Sequence, residues 1–116
     1  MTDSDEESAP VPCVIQLTAG GDGRGVVLGG PPQTAGMRSG VVVLQLGASV
    51  GRHSTGASEE IIVVLEGRGE VRVADVPPLA VAAGMAAYVP PRRSHDVVNT
   101  GERPLRYVYV VAPVAP

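Results

Sequence analysis

The chain is a succession of short apolar runs, each ended by a cluster that contains glycine or proline. The runs have the length of strands and are rich in valine, which favours β-structure. No window of helix length carries an apolar stripe with helical spacing. In chain order the runs are CVIQL, RGVVLG, VVVLQL, EIIVVLEG, EVRVAD, LAVAA, AAYVP, HDVVN and LRYVYVVA. This rhythm predicts an all-β sandwich or barrel of antiparallel strands joined by tight turns.

Three local patterns refine this prediction. The stretch GGPPQTAG at residues 29–36 cannot be a helix interior or a central strand, because proline lacks the backbone donor that both require. The glycines of the run Glu66-Gly67-Arg68-Gly69 can supply the positive φ of a tight turn. Residues 61–65 are apolar at both parities, so both faces of that strand should be covered, in packed sheets or at a subunit interface.

Length and composition point to one domain. With 116 residues, the chain can bury a core without disulfides, and that core must be aliphatic because phenylalanine and tryptophan are absent. Residues 1–12 hold four acidic groups and no basic one, a composition typical of a disordered tail. We therefore expect an acidic N-terminal tail over residues 1–12 and a single domain over residues 13–116.

Charge and cysteine content exclude several classes of protein. Nine arginines against twelve acidic residues give a net charge of -3, so no broad cationic surface for nucleic acid is expected. The single Cys13 cannot form an internal disulfide, and no apolar run has the length of a signal-peptide core or a membrane span. These features predict a cytoplasmic protein. The absence of lysine beside abundant arginine, alanine and glycine is typical of a GC-rich bacterial genome.

The two histidines carry the functional prediction. His53 and His95 occupy corresponding places in two Gly- and Pro-punctuated segments, residues 47–67 and 84–99. Imidazole is the commonest protein metal ligand, and two imidazoles with a carboxylate can form a metal site. Glu59 and Glu60 are both available on the intervening strand, and since side chains alternate, only one of them can face an interior site.

These segments resemble the two motifs of the cupin superfamily, written G-x5-H-x-H-x3,4-E-x6-G and G-x5-P-x-G-x2-H-x3-N. The matching positions of the first motif are Gly47, His53, Glu60 and Gly67, and those of the second are Gly84, Pro90, His95 and Asn99. The sequence departs from the pattern twice, with Thr55 at the second histidine and Arg92 at the internal glycine. Together the motifs and their connector span residues 47–99.

The resemblance implies a double-stranded β-helix, or jelly-roll barrel, with a metal held by His53, Glu60 and His95. This ligand set suits a divalent transition metal, and Fe, Mn, Ni, Zn or Cu could occupy it. The motif spacing selects Glu60 over Glu59 as the inward carboxylate. Thr55 is at best a weak ligand, so metal affinity should be lower than in a site with three histidines.

Further roles follow from position near the two motifs. Thr55 and Tyr88 are the candidate catalytic groups, and Tyr88 and Arg92 are the candidate substrate-binding groups. Two of these residues have a structural alternative. Tyr88 could be a packed tyrosine with a satisfied hydroxyl, and Arg92 could be a solvated arginine at the barrel rim. The histidines could also be hydrogen-bonded barrel residues that hold no metal.

The resemblance implies two kinds of function. The first is a metal-dependent enzyme of the dioxygenase, isomerase, epimerase, cyclase or decarboxylase type, acting on a small oxygen-bearing substrate inside the barrel. The second is a non-catalytic module that binds a small metabolite through a degenerate or empty metal site. Dimerisation is usual among proteins of this kind, so a homodimer is expected, with no nucleic-acid or membrane partner.

Overall fold

A computed structural model describes residues 10–115 of the chain, and within that range regular structure consists of strands. The prediction of an all-β jelly-roll barrel is confirmed. None of the described residues forms a helix that is long and apolar enough to cross a membrane. The strands are β1 (Arg24–Gly29), β2 (Arg38–Leu44), β3 (Ser58–Glu66), β4 (Arg68–Val73), β5 (Leu79–Ala82), β6 (Ala86–Val89), β7 (His95–Asn99) and β8 (Leu105–Pro113).

The strands form two antiparallel sheets. The larger sheet has five strands in the order β1-β2-β8-β3-β6, and the smaller has three in the order β5-β4-β7. Strand β8 lies at the centre of the larger sheet, where it pairs with β2 on one side and β3 on the other. This central position places the inward side chains of β3 and β8 side by side.

A segment between β2 and β3 extends the smaller sheet. Isolated bridges join Ser49 to Val98 and His53 to His95, both across the free edge of β7. The segment therefore lies beside β7 as a short irregular edge, and it brings the first motif against the second.

The core lies between the sheets and is aliphatic, as the composition predicts. Strands β3, β4, β6, β7 and β8 turn alternate side chains inward, which is the period-two pattern of strands with one buried face, whereas residues 39–42 of β2 are all buried. The buried cluster includes Val42, Leu44, Ile62, Val64, Val71, Val73, Val81, Ala87, Val89, Val97, Leu105 and Tyr107. At one end of this core the inward positions become polar, and that end holds the two motif histidines.

The outer face of β3 is partly open. Ile61 is 41% exposed, and Val63 and Leu65 are half-buried, so the described chain covers the inner face of β3 fully and its outer face incompletely. The prediction that both faces of this strand are covered is therefore not met by the described part of one chain. That a second subunit covers the outer face stays a prediction.

The N-terminal part differs from the sequence prediction in one respect. The apolar run CVIQL predicts a strand over residues 13–17, but these residues are irregular and mostly exposed. The segment is held by a side-chain hydrogen bond that Arg106 donates to the Leu17 carbonyl at 2.8 Å. Of the predicted acidic tail over residues 1–12, residues 1–9 lie outside the described range, and residues 10–12 are exposed and irregular.

The turn after β3 confirms the role predicted for its first glycine. Gly67 has a φ of +81°, and a Cβ there would lie 2.5 Å from the Pro104 carbonyl oxygen. Both the backbone conformation and the close approach of the neighbouring loop therefore require glycine at this position.

Candidate metal centre and its cavity

The two motif histidines are neighbours, with His53 in the edge segment and His95 at the start of β7. The backbone amide of His53 donates to the His95 carbonyl at 2.9 Å, and the amide of His95 donates to the His53 carbonyl at 2.8 Å. The two imidazole rings are tilted by 55° with centroids 4.4 Å apart. His95 is fully buried, whereas His53 lies at the exposed edge. Reciprocal backbone pairing thus fixes the distance between the rings.

Glu60 reaches the same point from the opposite sheet. It lies on β3 between Val89 of β6 and Val111 of β8, and it is 5% exposed. One of its carboxylate oxygens, Oε1, lies 2.8 Å from the Nε2 atom of His95. Potential ligand atoms of His53, Glu60 and His95 all lie within 4.8 Å of one another. The structure therefore brings together the three residues that the motif spacing selected.

The orientation of the two rings fits a metal ion. The Nδ1 atom of His53 lies 2.8 Å from the Gly51 carbonyl oxygen, and the Nδ1 atom of His95 lies 3.0 Å from the Arg93 carbonyl oxygen. A carbonyl only accepts, so each Nδ1 carries the proton, and each Nε2 has its lone pair free when the ring is neutral. This is the outer-shell arrangement typical of metal-binding histidines.

The contact between His95 and Glu60 has two chemical interpretations. With a neutral ring, the Nε2 lone pair and the carboxylate oxygen would repel each other at 2.8 Å unless a cation lies between them. Two adjacent ligand atoms lie about 3 Å apart around an ion with bonds of about 2.1 Å, so the spacing suits a shared metal. Without a metal, a protonated His95 can donate from Nε2 to Glu60, and this hydrogen bond replaces the repulsion by an attraction.

The metal-free interpretation has a consequence for pH. The hydrogen bond to Glu60 raises the pKa of His95, in opposition to burial, which lowers it. Because the folded-state pKa lies above the ordinary value of about 6.5, the contribution of this pair to stability is full below that pH. It is lost as pH rises through the folded-state pKa.

We expect chelator-treated protein to lose stability relative to a Glu60→Gln variant as the pH is raised above the ordinary histidine pKa of about 6.5 and through the higher folded-state pKa of His95. The measurement is the melting temperature of both proteins, without metal, at half-unit pH intervals. Glutamine keeps the size of the side chain but carries no charge, so the difference between the two curves isolates the ion pair. A constant difference across this range would contradict the protonated pair.

A cavity of about 390 Å³ opens beside the cluster. His53 and Glu60 contribute to its wall, whereas His95 lies behind them in the core. The remaining wall is formed by residues of both sheets and of the edge segment, namely Arg24, Val42, Val50, Gly51, Arg52, Thr55, Val97, Tyr107, Tyr109 and Val111. This volume is in the range of small-molecule sites.

Thr55 is the one predicted catalytic residue that lines the cavity. Its hydroxyl donates to the Ser58 carbonyl at 2.9 Å, which closes the turn that leads into β3. The hydroxyl oxygen still has a lone pair with which to accept a hydrogen bond from a ligand or from water. Its proposed role near the metal is thus compatible with its position.

Tyr88 does not reach the cavity. It lies on the outer face of β6, is 55% exposed, and donates its hydroxyl proton to Glu59 Oε1 at 2.8 Å. This bond raises the pKa of Tyr88. Alternation along β3 explains the pairing, because Glu59 faces outward where Glu60 faces inward. The predicted catalytic and substrate-binding roles of Tyr88 therefore do not fit the geometry.

Arg92 is also away from the cavity wall. It adopts a φ of 60°, and its backbone amide donates to the Gly56 carbonyl at 2.7 Å. The motif has glycine at this position, and the left-handed backbone that glycine tolerates is retained here by an arginine, at a cost of about 1 kcal/mol. Arg92 is thus a turn residue with an exposed side chain that does not line this cavity, and its substrate-binding role stays a prediction.

Arg24 and Tyr109 are among the cavity residues that lie outside both motifs, and neither was singled out from the sequence. Arg24 begins β1, and its guanidinium donates to the Val50 carbonyl at 3.2 Å. Tyr109 of β8 lies opposite Gly40 of β2, where an added Cβ would lie 2.6 Å from the tyrosine hydroxyl. The glycine inside an apolar strand was the available signal, because such glycines mark the close approach of another group.

Comparison with known proteins identifies the family. The family model described as the cupin domain matches residues 40–111, from within β2 to within β8. The chain belongs to the cupin family. This cupin is also 37% identical over 101 residues to the protein SchB of Streptomyces halstedii, an alignment that covers 84% of this chain and 70% of SchB.

Solved structures agree with this assignment. The cupin superposes on a protein from Thermus thermophilus with a TM-score of 0.68 and 26% identity, over 83% of this chain and 89% of that one. It superposes on a conserved protein with a double-stranded β-helix domain from Klebsiella pneumoniae with a TM-score of 0.69 and 25% identity, over 85% and 83% of the two chains. The barrel is therefore that of the family.

Proposed function

We propose that this cupin is a metal-dependent enzyme that acts on a small oxygen-bearing molecule in the cavity beside His53, Glu60 and His95. The observation that carries the proposal is the convergence of these three side chains, with both Nδ1 atoms directed to backbone carbonyls. The reaction classes that suit this site are dioxygenase, isomerase, epimerase and cyclase chemistry.

The residues divide the work as follows. His53, Glu60 and His95 would hold a divalent ion such as Fe, Mn, Ni, Zn or Cu, which supplies Lewis-acid chemistry to a substrate oxygen. Thr55 would accept a hydrogen bond from bound water or substrate at the cavity wall. The valines of the wall exclude water from the body of the substrate, which strengthens the polar contacts inside.

The direct test is the metal content of protein purified without an affinity tag or a chelator. We expect close to one Fe, Mn, Ni, Zn or Cu ion per chain by elemental analysis. Protein that contains none of these ions, and takes up none when it is incubated with them, would contradict the metal-dependent enzyme.

A non-catalytic binding module is the second candidate function. Two observations favour it, namely Thr55 in place of a motif histidine and the direct 2.8 Å contact of His95 with Glu60, which can satisfy both groups without an ion. In that case, the cavity would bind a small metabolite and release it unchanged. If the protein binds a ligand and the ligand is recovered chemically unchanged, with or without added metal, the protein is a binding module and not an enzyme for that ligand.

The proposal includes a homodimer formed through the outer face of β3 and β8. This face carries Ile61, Val63, Val108 and Val110, which are exposed or half-buried, and these four positions bear no charge. An uncharged apolar patch is complementary to a second copy of itself across a twofold axis. A second subunit would complete the coverage that the apolar pattern of β3 predicts.

We expect an Ile61→Glu variant to be monomeric, because a charge at the centre of an apolar interface would be desolvated without a partner. Light scattering coupled to size-exclusion chromatography measures the mass of each protein. Leu46→Glu is the matched control, since Leu46 is 56% exposed in the loop after β2. A monomeric parent protein, or a dimeric Ile61→Glu variant, would contradict this interface.

We further propose a cytoplasmic protein of bacterial origin without a nucleic-acid or membrane partner. The unpaired and exposed Cys13 supports a reducing compartment, because structural disulfides mark oxidising ones. The net charge of -3 argues against binding to a polyanion such as nucleic acid.

A further inference from the structure

We propose that the cavity binds a ligand with an apolar body and one anionic group, and that Arg24 holds the anionic group. The inference rests on the proposed small-molecule function and narrows its ligand class. It depends on the position of Arg24, the charge balance of the wall and the character of the remaining lining, and Arg24 is not one of the proposed metal ligands.

Arg24 is held so that its guanidinium contributes to the cavity wall. Its partner across the β1–β2 pair is Val42, a core residue, so the two side chains lie on the inner face of the larger sheet. One guanidinium nitrogen, Nη2, donates to the Val50 carbonyl at 3.2 Å. Guanidinium has five donors, so this contact orients the group and leaves the other donors for a ligand. Such preorganisation reduces the entropy lost on binding.

The charge of the wall is unbalanced. Within residues 10–115, neither Arg24 nor Arg52 has a carboxylate partner within 4.0 Å. The ion pairs in that range are formed by Arg72, His95 and Arg106. Asp22 accepts a hydrogen bond from the backbone amide of Arg24, at 3.0 Å. Glu60 is the one carboxylate of the wall, and it contacts His95. Two guanidinium groups therefore favour an anion in this concave, partly apolar space.

The remaining lining defines the body of the ligand. Four valines and the rings of Tyr107 and Tyr109 line the cavity, and such a surface packs well against a flat apolar ring. Burial raises the pKa of Tyr107, so its hydroxyl remains protonated. The ligand class that matches this lining and Arg24 is a small aromatic carboxylate.

The test compares benzoate and 2-naphthoate with their neutral amides, benzamide and 2-naphthamide, in titrations of chelator-treated protein followed by NMR. We expect each acid to bind at least about tenfold more tightly than its amide, because charge-assisted hydrogen bonds to guanidinium are lost in the amide. Arg24→Gln should reduce the affinity for the acids by about tenfold or more, and Arg24→Lys should retain part of it. Arg103→Gln, a loop arginine outside this cavity, is the matched control and should bind as the parent does.

The outcomes separate this inference from the proposed enzyme. Equal affinity for acid and amide, an unchanged affinity in Arg24→Gln, or no binding of any of the four probes would overturn the role of Arg24. The metal content of the same preparations is measured before chelation. If the purified protein contains metal but the acids bind equally well to Arg24→Gln, the metal site stands and the role of Arg24 is refuted. If the protein takes up no metal but binding depends on Arg24, the role of Arg24 is supported and the protein is a binding module.

Discussion

The variants Glu60→Gln and His53→Ala are each expected to lower metal affinity by about 100-fold or more. Each removes one of three protein ligands, and loss of an outer partner alone typically costs about 10- to 100-fold. Glutamine retains the shape of the buried side chain, and His53 lies at the exposed edge, so both variants should fold. Competition titration against a chromogenic chelator, with Zn or Mn as the probe ion, measures the affinity.

Glu59→Gln is the matched control for this prediction. Glu59 lies next to Glu60 in the chain, but it faces outward and accepts a hydrogen bond from Tyr88. We expect metal affinity within about twofold of the parent protein, because surface substitutions away from the site have small effects. Equal losses in Glu59→Gln and Glu60→Gln, or full metal retention in His53→Ala, would contradict the proposed three-ligand centre.

The largest loss of stability is expected for Asn99→Ala. Asn99 is 2% exposed, and its amide donates to the carbonyls of Leu44 at 3.0 Å and Arg103 at 2.8 Å. Its side-chain oxygen accepts from the Gly101 amide at 2.9 Å. Alanine would leave these backbone groups without their partner, at a cost of about 2–4 kcal/mol. Thermal and urea denaturation, followed by circular dichroism, measure this loss.

Thr100→Ala provides the comparison for Asn99→Ala. Thr100 is the next residue in the chain and is exposed, so its replacement should change stability by about 0.5 kcal/mol or less. Similar losses in the two variants would mean that the turn after β7 does not depend on the side chain of Asn99. The prediction also explains why the second motif ends in asparagine, since that residue ties the end of β7 to β2 and to the β7–β8 loop.

Much of the fold could be predicted because the strands read as separate apolar runs. The run at residues 24–29 coincides with β1, and that at residues 95–99 coincides with β7. Residues 13–17 were the exception. Their apolar pattern is that of a strand, but strand formation needs a free sheet edge at the right place, and the sequence carries no information on that.

Part of the candidate site could be predicted from the sequence, and part could not. The resemblance to the two motifs predicted that His53, Glu60 and His95 converge, and the structure brings them together, with His53 paired to His95 and Glu60 on the facing sheet. Tyr88 was assigned to the site because it lies near the second motif in the chain, whereas alternation along β6 sends its side chain outward. Arg24 was missed since its proximity arises from the pairing of β1 with β2, far from the motifs in the chain.

The edge segment that carries His53 also forms part of the cavity wall. Four backbone hydrogen bonds attach residues 48–53 to β7, two of them between His53 and His95. Elements held by few bonds at an exposed sheet edge open at a lower free energy than the core strands. An ion bound to both histidines would join this edge to β7, so removal of the ion should let the edge detach more often while the barrel stays folded.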